Sequence, residues 1–120
     1  MGLFSKSSSN IAWRHLEELS QLDEIIEASI SKPQLIFKHS TRCGVSTTVR
    51  NRLDGEWSHN EEITPWYLDL LRYRNISNEI AERLGVHHES PQIILLVNGK
   101  VELHLSHASL SSKDLDAIAA

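Results

Sequence analysis

The one cysteine of the sequence, Cys43, is the residue best suited to covalent chemistry. It lies between an apolar run and the start of a helical pattern. The first backbone N–H groups of a helix have no partner within the helix and carry partial positive charge, so they favour a thiolate over a thiol. Arg42 adds positive potential beside the sulfur. This position therefore predicts a reactive, nucleophilic cysteine.

The spacing from Cys43 to Ser46 is the second part of this signal. Position i+3 on the first helical turn places both residues on one face, where the hydroxyl is expected to donate a hydrogen bond to the thiolate. Because the sequence has no other cysteine, Cys43 cannot form an intramolecular disulfide, and the partner sulfur of any redox step must come from another molecule. The alternative is a buried cysteine that acts as a small apolar residue. The polar neighbours at 40–42 and 46 argue against it.

The elements that would position Cys43 follow from apolar patterns and turn signals. Predicted strands cover residues 13–16, Gln34–His39, 66–71, Gln92–Val97 and 101–106, with a hairpin turn at Asn98-Gly99. Predicted helices carry the apolar residues Leu22, Ile25, Ile26 and Ile30, then Val45, Val49 and Leu53, then Ile76, Ile80 and Leu84, and finally Leu115 and Ile118. The first helix is expected to start at a capping-box pattern in residues 20–23 and the last at 111–114. Gly55 and Gly85 are the predicted C-terminal caps of the second and third helices.

The resulting order, β-α-β-α-β-α-β-β-α, is that of a thioredoxin-like domain, an α/β fold with a central mixed sheet flanked by helices. In such folds the strand after the third helix begins with a cis-proline that packs against the active-site cysteine. The residue before this proline presents its backbone to an incoming thiol. Pro91 occupies the matching position, so a cis peptide bond between Ser90 and Pro91 is expected. A trans proline that merely starts a strand is the alternative.

Composition limits the remaining function classes. The chain has 120 residues, of which 40% are apolar, so we expect one domain over residues 11–120 after a polar lead-in at 1–10. A lone cysteine fits a reducing compartment and predicts a cytoplasmic protein. The net charge of −4 gives no general attraction to nucleic acid or an anionic membrane, and no apolar run approaches membrane-spanning length. We therefore expect a monomer that binds neither.

The seven histidines do not form a recognisable metal-binding pattern. A metal site needs convergent ligands, and the adjacent pair His87-His88 would point in different directions on an extended segment. The sequence also lacks a glycine-rich phosphate loop and a Ser-His-Asp pattern. We expect no metal and no resident cofactor.

Two motifs in this order resemble the monothiol bacilliredoxin family of bacterial thioredoxin-like proteins. The first runs over residues 37–43 and includes Ser46, and the second covers residues 88–92. The likeness extends over nearly the whole chain after Trp13, including residues 98–107. It implies a cytosolic enzyme that exchanges thiols with bacillithiol or with bacillithiol-modified proteins. Family members commonly carry proline at the position of Gly44, so the first turn of this helix is expected to be looser.

Under this resemblance Cys43 and Ser46 are the catalytic residues. Cys43 takes a small thiol, here bacillithiol as co-substrate, from a mixed disulfide with a target protein, and a second small thiol then releases it. The expected partners are thiol-modified cytosolic proteins and the small thiol itself. The residues implied in binding the small thiol are Thr41, Arg42, Gly44, Ser90 and Pro91. Arg42 and Lys38 are candidate partners for its carboxylates, although strand alternation could turn Lys38 inward.

Two rival functions remain open. Residues 43–46 differ by one position from the Cys-Gly-Phe-Ser motif of monothiol glutaredoxins, which share an iron–sulfur cluster between subunits. The Gly-Gly pair that those proteins carry after the cis-proline hairpin is absent here. Visible absorption after anaerobic reconstitution would reveal a cluster. The other rival is a non-catalytic thioredoxin-like adaptor, which would not react with mixed disulfides.

Overall fold

Helices cover both faces of a five-stranded mixed sheet in this computed structural model, which describes residues 11–106 and 108–116. The strands are β1 (Arg14–His15), β2 (Gln34–His39), β3 (Thr64–Asp69), β4 (Gln92–Val97) and β5 (Lys100–Leu105). The helices are α1 (Leu19–Ala28), α2 (Gly44–Glu56), α3 (Arg74–Leu84) and the 3₁₀ helix η1 (Ser112–Leu115). In the sheet order β1-β3-β2-β4-β5, the first three strands are parallel and the last two are antiparallel to their neighbours. The predicted thioredoxin-like architecture is confirmed.

The central strand β2 is buried along its whole length and divides the core in two. Successive side chains of a strand point to opposite faces. Leu35 and Phe37 therefore pack with Val49 and Leu53 of α2. Ile36 packs on the other face, with the apolar residues of α1 and α3. This alternation decides which β2 side chains face the cysteine helix.

Two turns have the geometry that their residues predict. Asn98 and Gly99 both have positive φ, 55° and 80°, which is the requirement of the tight hairpin turn between β4 and β5. Gly85 ends α3 in the left-handed conformation at φ 67°. Both predictions are confirmed.

The start of α1 differs from the prediction. The N-cap is Glu18, and the side chain of Gln21 accepts hydrogen bonds from the backbone N–H groups of Glu17 (2.7 Å) and Glu18 (2.9 Å). The helix therefore begins before the predicted start at 20–23. Ile30 lies beyond the C-cap Ser29 and is 62% exposed, so it does not continue the apolar stripe.

Helix α2 also differs from the prediction at two positions. Gly55 is not a C-terminal cap, because the helix continues to Glu56 and the N–H of Trp57 still donates to the carbonyl of Leu53 at 3.0 Å. Val45 is 48% exposed and does not belong to the buried stripe. Ser46 takes its place, since the buried residues of α2 are Ser46, Val49 and Leu53.

Strand β3 covers Thr64–Asp69 and not the predicted residues 66–71. Its register explains the shift, since it pairs with β2 from Gln34 opposite Thr64 to His39 opposite Asp69. The strand β1 is shorter than predicted. The described part of the last helical segment contains the 3₁₀ helix Ser112–Leu115, and Ile118 lies outside the described residues. Over the described ranges, no helix is both long and apolar enough to cross a membrane.

Candidate active site

Cys43 is the N-cap residue of α2, as the sequence predicts. Its backbone is extended (φ −109°, ψ 120°), its carbonyl accepts from the N–H of Thr47 at 3.0 Å, and the residue is partly exposed. The first turn of α2 contains no acidic side chain. The side chains of this turn therefore leave the partial positive charge of the helix start in place.

The loop that carries Cys43 follows β2 at one end of the sheet, between the start of β4 and the end of β3. On one side, Lys38 of β2 is paired with Gln92 of β4, so the residues just before Gln92 lie beside the end of β2. On the other side, His39 is paired with Asp69, and the N–H of residue 70 donates to the His39 carbonyl at 3.1 Å. The fold thus brings the two sequence motifs to the same edge, and it adds the end of β3 as a third component.

The peptide bond between Ser90 and Pro91 is cis, as predicted. Pro91 is buried at the start of β4. The Ser90 side-chain oxygen is also buried, and it has no hydrogen-bond partner among the described residues. A buried hydroxyl without a partner is costly, so Ser90 retains an unused polar group close to the end of β2.

Ser46 is fully buried and points at β2. Its Oγ lies 2.7 Å from Nδ1 of His39 and accepts a hydrogen bond from the backbone N–H of Ser40 at 3.1 Å. Because the serine oxygen already accepts from Ser40, its own hydrogen is available to donate to the imidazole. Within the described ranges no hydrogen bond joins Ser46 to the sulfur of Cys43. The predicted donation to the thiolate is therefore replaced by a link between α2 and β2.

His39 is a site residue that sequence reasoning did not assign. Burial lowers the pKa of His39 first, and the nearby Arg50 lowers it further, while Asp69 and Asp54 oppose them. The neutral ring stacks on Phe37, with ring centroids 5.6 Å apart. The sequence feature that could have identified His39 is the alternation of side chains along β2. This alternation places positions 37 and 39 on the face that packs against α2.

Lys38 is turned inward, which was one of the two alternatives left open. It is fully buried on the opposite face of β2, where its Nζ lies 3.1 Å from Nδ1 of His88. The hydroxyl of Ser77 lies 3.3 Å from the same nitrogen. Burial lowers the pKa of Lys38 to about 8. Lys38 is therefore not placed to bind a substrate carboxylate.

The other residues predicted to bind the small thiol are open to solvent. Thr41, Arg42 and Gly44 are exposed, and a Cβ at Gly44 would have no neighbour within 4 Å. Thr41 and Arg42 border a groove of about 440 Å³, whose other lining residues are Asp69, Leu71 and Arg72. The sequence analysis did not predict that Asp69, Leu71 and Arg72 would border the site, because they reach it only through the pairing of β3 with β2.

His15, His39, His59 and His88 contact other side chains of the protein. His15 meets the ring of Tyr67 edge-on, and His59 lies 3.0 Å from the carboxylate of Asp116. In the part of the chain that the structure describes, no three His, Cys, Asp or Glu side chains converge as a metal site would require. His107 lies outside the described residues.

Comparison with known proteins gives one family and one fold. A family model for the monothiol bacilliredoxin BrxC matches residues 14–115. A solved structure described as a proposed oxidoreductase with a thioredoxin fold is 27% identical, with a TM-score of 0.75 over 89% of this chain and 92% of the other. Thioredoxin h of Nicotiana alata is 16% identical (TM-score 0.70, 95% of each chain), and Malassezia sympodialis thioredoxin is 14% identical (TM-score 0.69, 96% and 94%). The two thioredoxins show similarity of fold alone.

Proposed function

The chain belongs to the monothiol bacilliredoxin family, and we propose that Cys43 removes a low-molecular-weight thiol, bacillithiol, from protein mixed disulfides. Family membership and the thioredoxin fold support a thiol redox function. The observation that carries the finer proposal is the position of Cys43 at the start of α2 in a chain that has no second cysteine. A helix start can stabilise negative charge that forms on a sulfur placed there, and the composition restricts the disulfides of Cys43 to intermolecular ones.

The first step is an attack on the mixed disulfide. The Cys43 thiolate attacks the sulfur of the small thiol, a new bond forms between these two sulfurs, and the bond between the small thiol and the target cysteine breaks. The target cysteine leaves as a thiolate and takes a proton from water. The helix start faces the negative charge both before attack and when Cys43 later leaves.

The second step needs another molecule of the small thiol. Its thiolate attacks the small-thiol sulfur attached to Cys43, which releases Cys43 as a thiolate and forms the symmetrical disulfide of the small thiol. Atoms and electrons balance over the two steps, because one mixed disulfide and one free small thiol become one symmetrical disulfide and one restored target thiol, with no net oxidation. The rate of this step depends on the concentration of free small thiol.

The neighbouring residues have different proposed roles. Ser46 acts as a positioning residue, because it holds the start of α2 against His39 and Ser40. Ser90 and Pro91 would contact the small-thiol part of the mixed disulfide beside the end of β2. Thiol-modified proteins of the cytoplasm are the proposed targets, and a monomer is sufficient, since the mechanism requires one Cys43.

The test is the covalent state of Cys43. Incubation with oxidised bacillithiol should add the mass of one bacillithiol, and excess thiol should remove it. The Cys43→Ser variant is the control and should gain no mass. Without added thiol, the wild-type protein should show little turnover of an insulin-type protein disulfide. Efficient reduction of insulin by the protein alone would contradict the one-cysteine mechanism.

A further inference from the structure

A groove continues from the cysteine loop along the carboxyl ends of the parallel strands. The 440 Å³ depression beside Arg42 shares Asp69 and Arg72 with a second depression of about 90 Å³. The remaining residues that line the second one are His15, Leu16, Glu17, Tyr67 and Tyr73. The carboxyl edge of a parallel sheet is a common place for ligands in α/β folds. The shared residues make the two depressions one continuous surface next to Cys43.

Two arginines give this groove positive charge. Arg42 comes from the cysteine loop and Arg72 from the segment between β3 and α3, and both side chains are exposed. Neither forms an ion pair with any residue in 11–106 or 108–116. The guanidinium of Arg72 lies 5.4 Å from the ring centre of Tyr73, which supports its side chain from one side. A planar guanidinium binds carboxylates through paired hydrogen bonds.

Asp69 supplies an acceptor at the junction of the two depressions. Its Oδ1 is buried and has no hydrogen-bond partner among the described residues. Because Oδ1 is closed to solvent, a ligand in the groove would meet the remaining part of the carboxylate, which lines both depressions and can accept from an N–H or O–H. Asp69 therefore calls for a hydrogen-bond donor on the ligand, whereas Arg42 and Arg72 call for an anionic acceptor.

Resting on the proposed exchange reaction, we infer that this groove binds the non-sulfur part of the small thiol, which carries a carboxylate and an ammonium or hydroxyl group. Arg42 and Arg72 hold the carboxylate, and Asp69 accepts a hydrogen bond from the ammonium or hydroxyl. Thr41 and Arg42 line the groove and precede Cys43 in the same loop, so the sulfur of a ligand bound there is placed towards this loop. Asp69 and Arg72 are specificity-determining residues of this site.

The test compares four simple disulfides that differ only in these groups. Cystine has both a carboxylate and an ammonium, dithiodipropionate has the carboxylate alone, cystamine has the ammonium alone, and diethyl disulfide has neither these groups nor a hydroxyl. The measured quantity is the second-order rate of Cys43 modification, followed by mass spectrometry at about physiological ionic strength. Each rate is divided by the rate with diethyl disulfide, so that a change in the thiol itself cancels.

Arg72→Gln should lower the relative rates of cystine and dithiodipropionate by about tenfold, as expected for the loss of a hydrogen bond to a charged group. Asp69→Asn should lower the relative rates of cystine and cystamine. Arg74→Gln is the matched control, since it removes an exposed arginine nearby that does not line the groove. Its relative rates should equal those of the wild type.

The outcomes separate this inference from the proposed function. If Cys43 reacts with all four disulfides but Arg72→Gln and Asp69→Asn keep the wild-type relative rates, the groove has no part in recognition and the exchange reaction stands. An equal loss in Arg72→Gln and Arg74→Gln would reduce the effect to net charge and would also overturn the inference. If no disulfide modifies Cys43, the proposed function itself fails.

Discussion

Replacing the buried Lys38 by methionine should stabilise the protein. Lys38 of β2 has no exposure, and among the described residues its Nζ has one hydrogen-bond partner, Nδ1 of His88. Methionine has a similar length and no charge, and the His88 nitrogen keeps the Ser77 hydroxyl as a potential donor. Exchange of a buried ionised group for a packed apolar one is often stabilising. The expected change is a higher free energy of unfolding at neutral pH.

The magnitude follows from the pKa of Lys38, which is about 8 in the folded protein and 10.5 for a free lysine. One pKa unit corresponds to about 1.4 kcal/mol, so burial of the ammonium costs the folded state up to about 3 kcal/mol below pH 8. The lost hydrogen bond to His88 offsets about 1 kcal/mol of this. The variant should therefore gain about 2 kcal/mol at pH 7.

The sign of the pH dependence distinguishes this cause from better packing. Between pH 8 and pH 10.5 the unfolded lysine binds a proton that the folded lysine has released. The wild-type free energy of unfolding should therefore gain a positive contribution from Lys38 as the pH rises through this range. The advantage of Lys38→Met should be constant below pH 8 and should shrink towards pH 10.5.

Urea unfolding at several pH values, followed by tryptophan fluorescence, measures this difference. Both proteins should carry Cys43→Ser, so that titration and oxidation of the thiol do not contribute. Lys100→Met, an exposed lysine at the start of β5, is the matched control and should show neither the gain nor its pH dependence. A Lys38→Met variant that is less stable than the wild type at pH 7, or whose difference does not change with pH, would refute the reasoning.

Three further predictions concern the stability of the fold. Ser46→Ala should lower the free energy of unfolding by about 1–3 kcal/mol, because it leaves the Ser40 N–H and the His39 ring nitrogen buried without their partner; urea unfolding measures this, and an unchanged midpoint would contradict it. Because the pKa of His39 is lowered below 6.5, stability should fall as the pH drops below that value, and His39→Gln should reduce this acid sensitivity in thermal unfolding. Gly99→Ala should cost about 1 kcal/mol, because φ is 80° there although a Cβ has open space; equal melting temperatures would be the contrary result.

The parts of the fold that the sequence predicts well are those with strong local causes. Strands β2 and β4 have the predicted bounds because each contains consecutive apolar residues that are buried on both faces of the sheet, at 35–37 and 93–96. The turn at Asn98-Gly99 needs positive φ at both positions, and few residue pairs provide it. Cys43 lies at a helix start because polar residues and glycine interrupt the pattern between β2 and α2.

The parts that sequence reasoning missed depend on which elements become neighbours. Ser46 has the predicted position but not the predicted partner, since its hydrogen bonds go to β2. Asp69 reaches the site because β3 pairs with β2 in a particular register, and Arg72 follows it in the next segment. No spacing along the chain relates these residues to Cys43.

A single-turnover reaction tests the central claim most directly. The wild-type protein is mixed with an equal amount of a bacillithiol-modified protein in the absence of free thiol, and samples are acid-quenched for mass spectrometry. The account predicts one bacillithiol on Cys43, an equal amount of unmodified target, and no further change until bacillithiol is added. Release from Cys43 should then be proportional to the bacillithiol concentration. A target that stays modified, or one that is released while Cys43 gains no mass, would contradict the account.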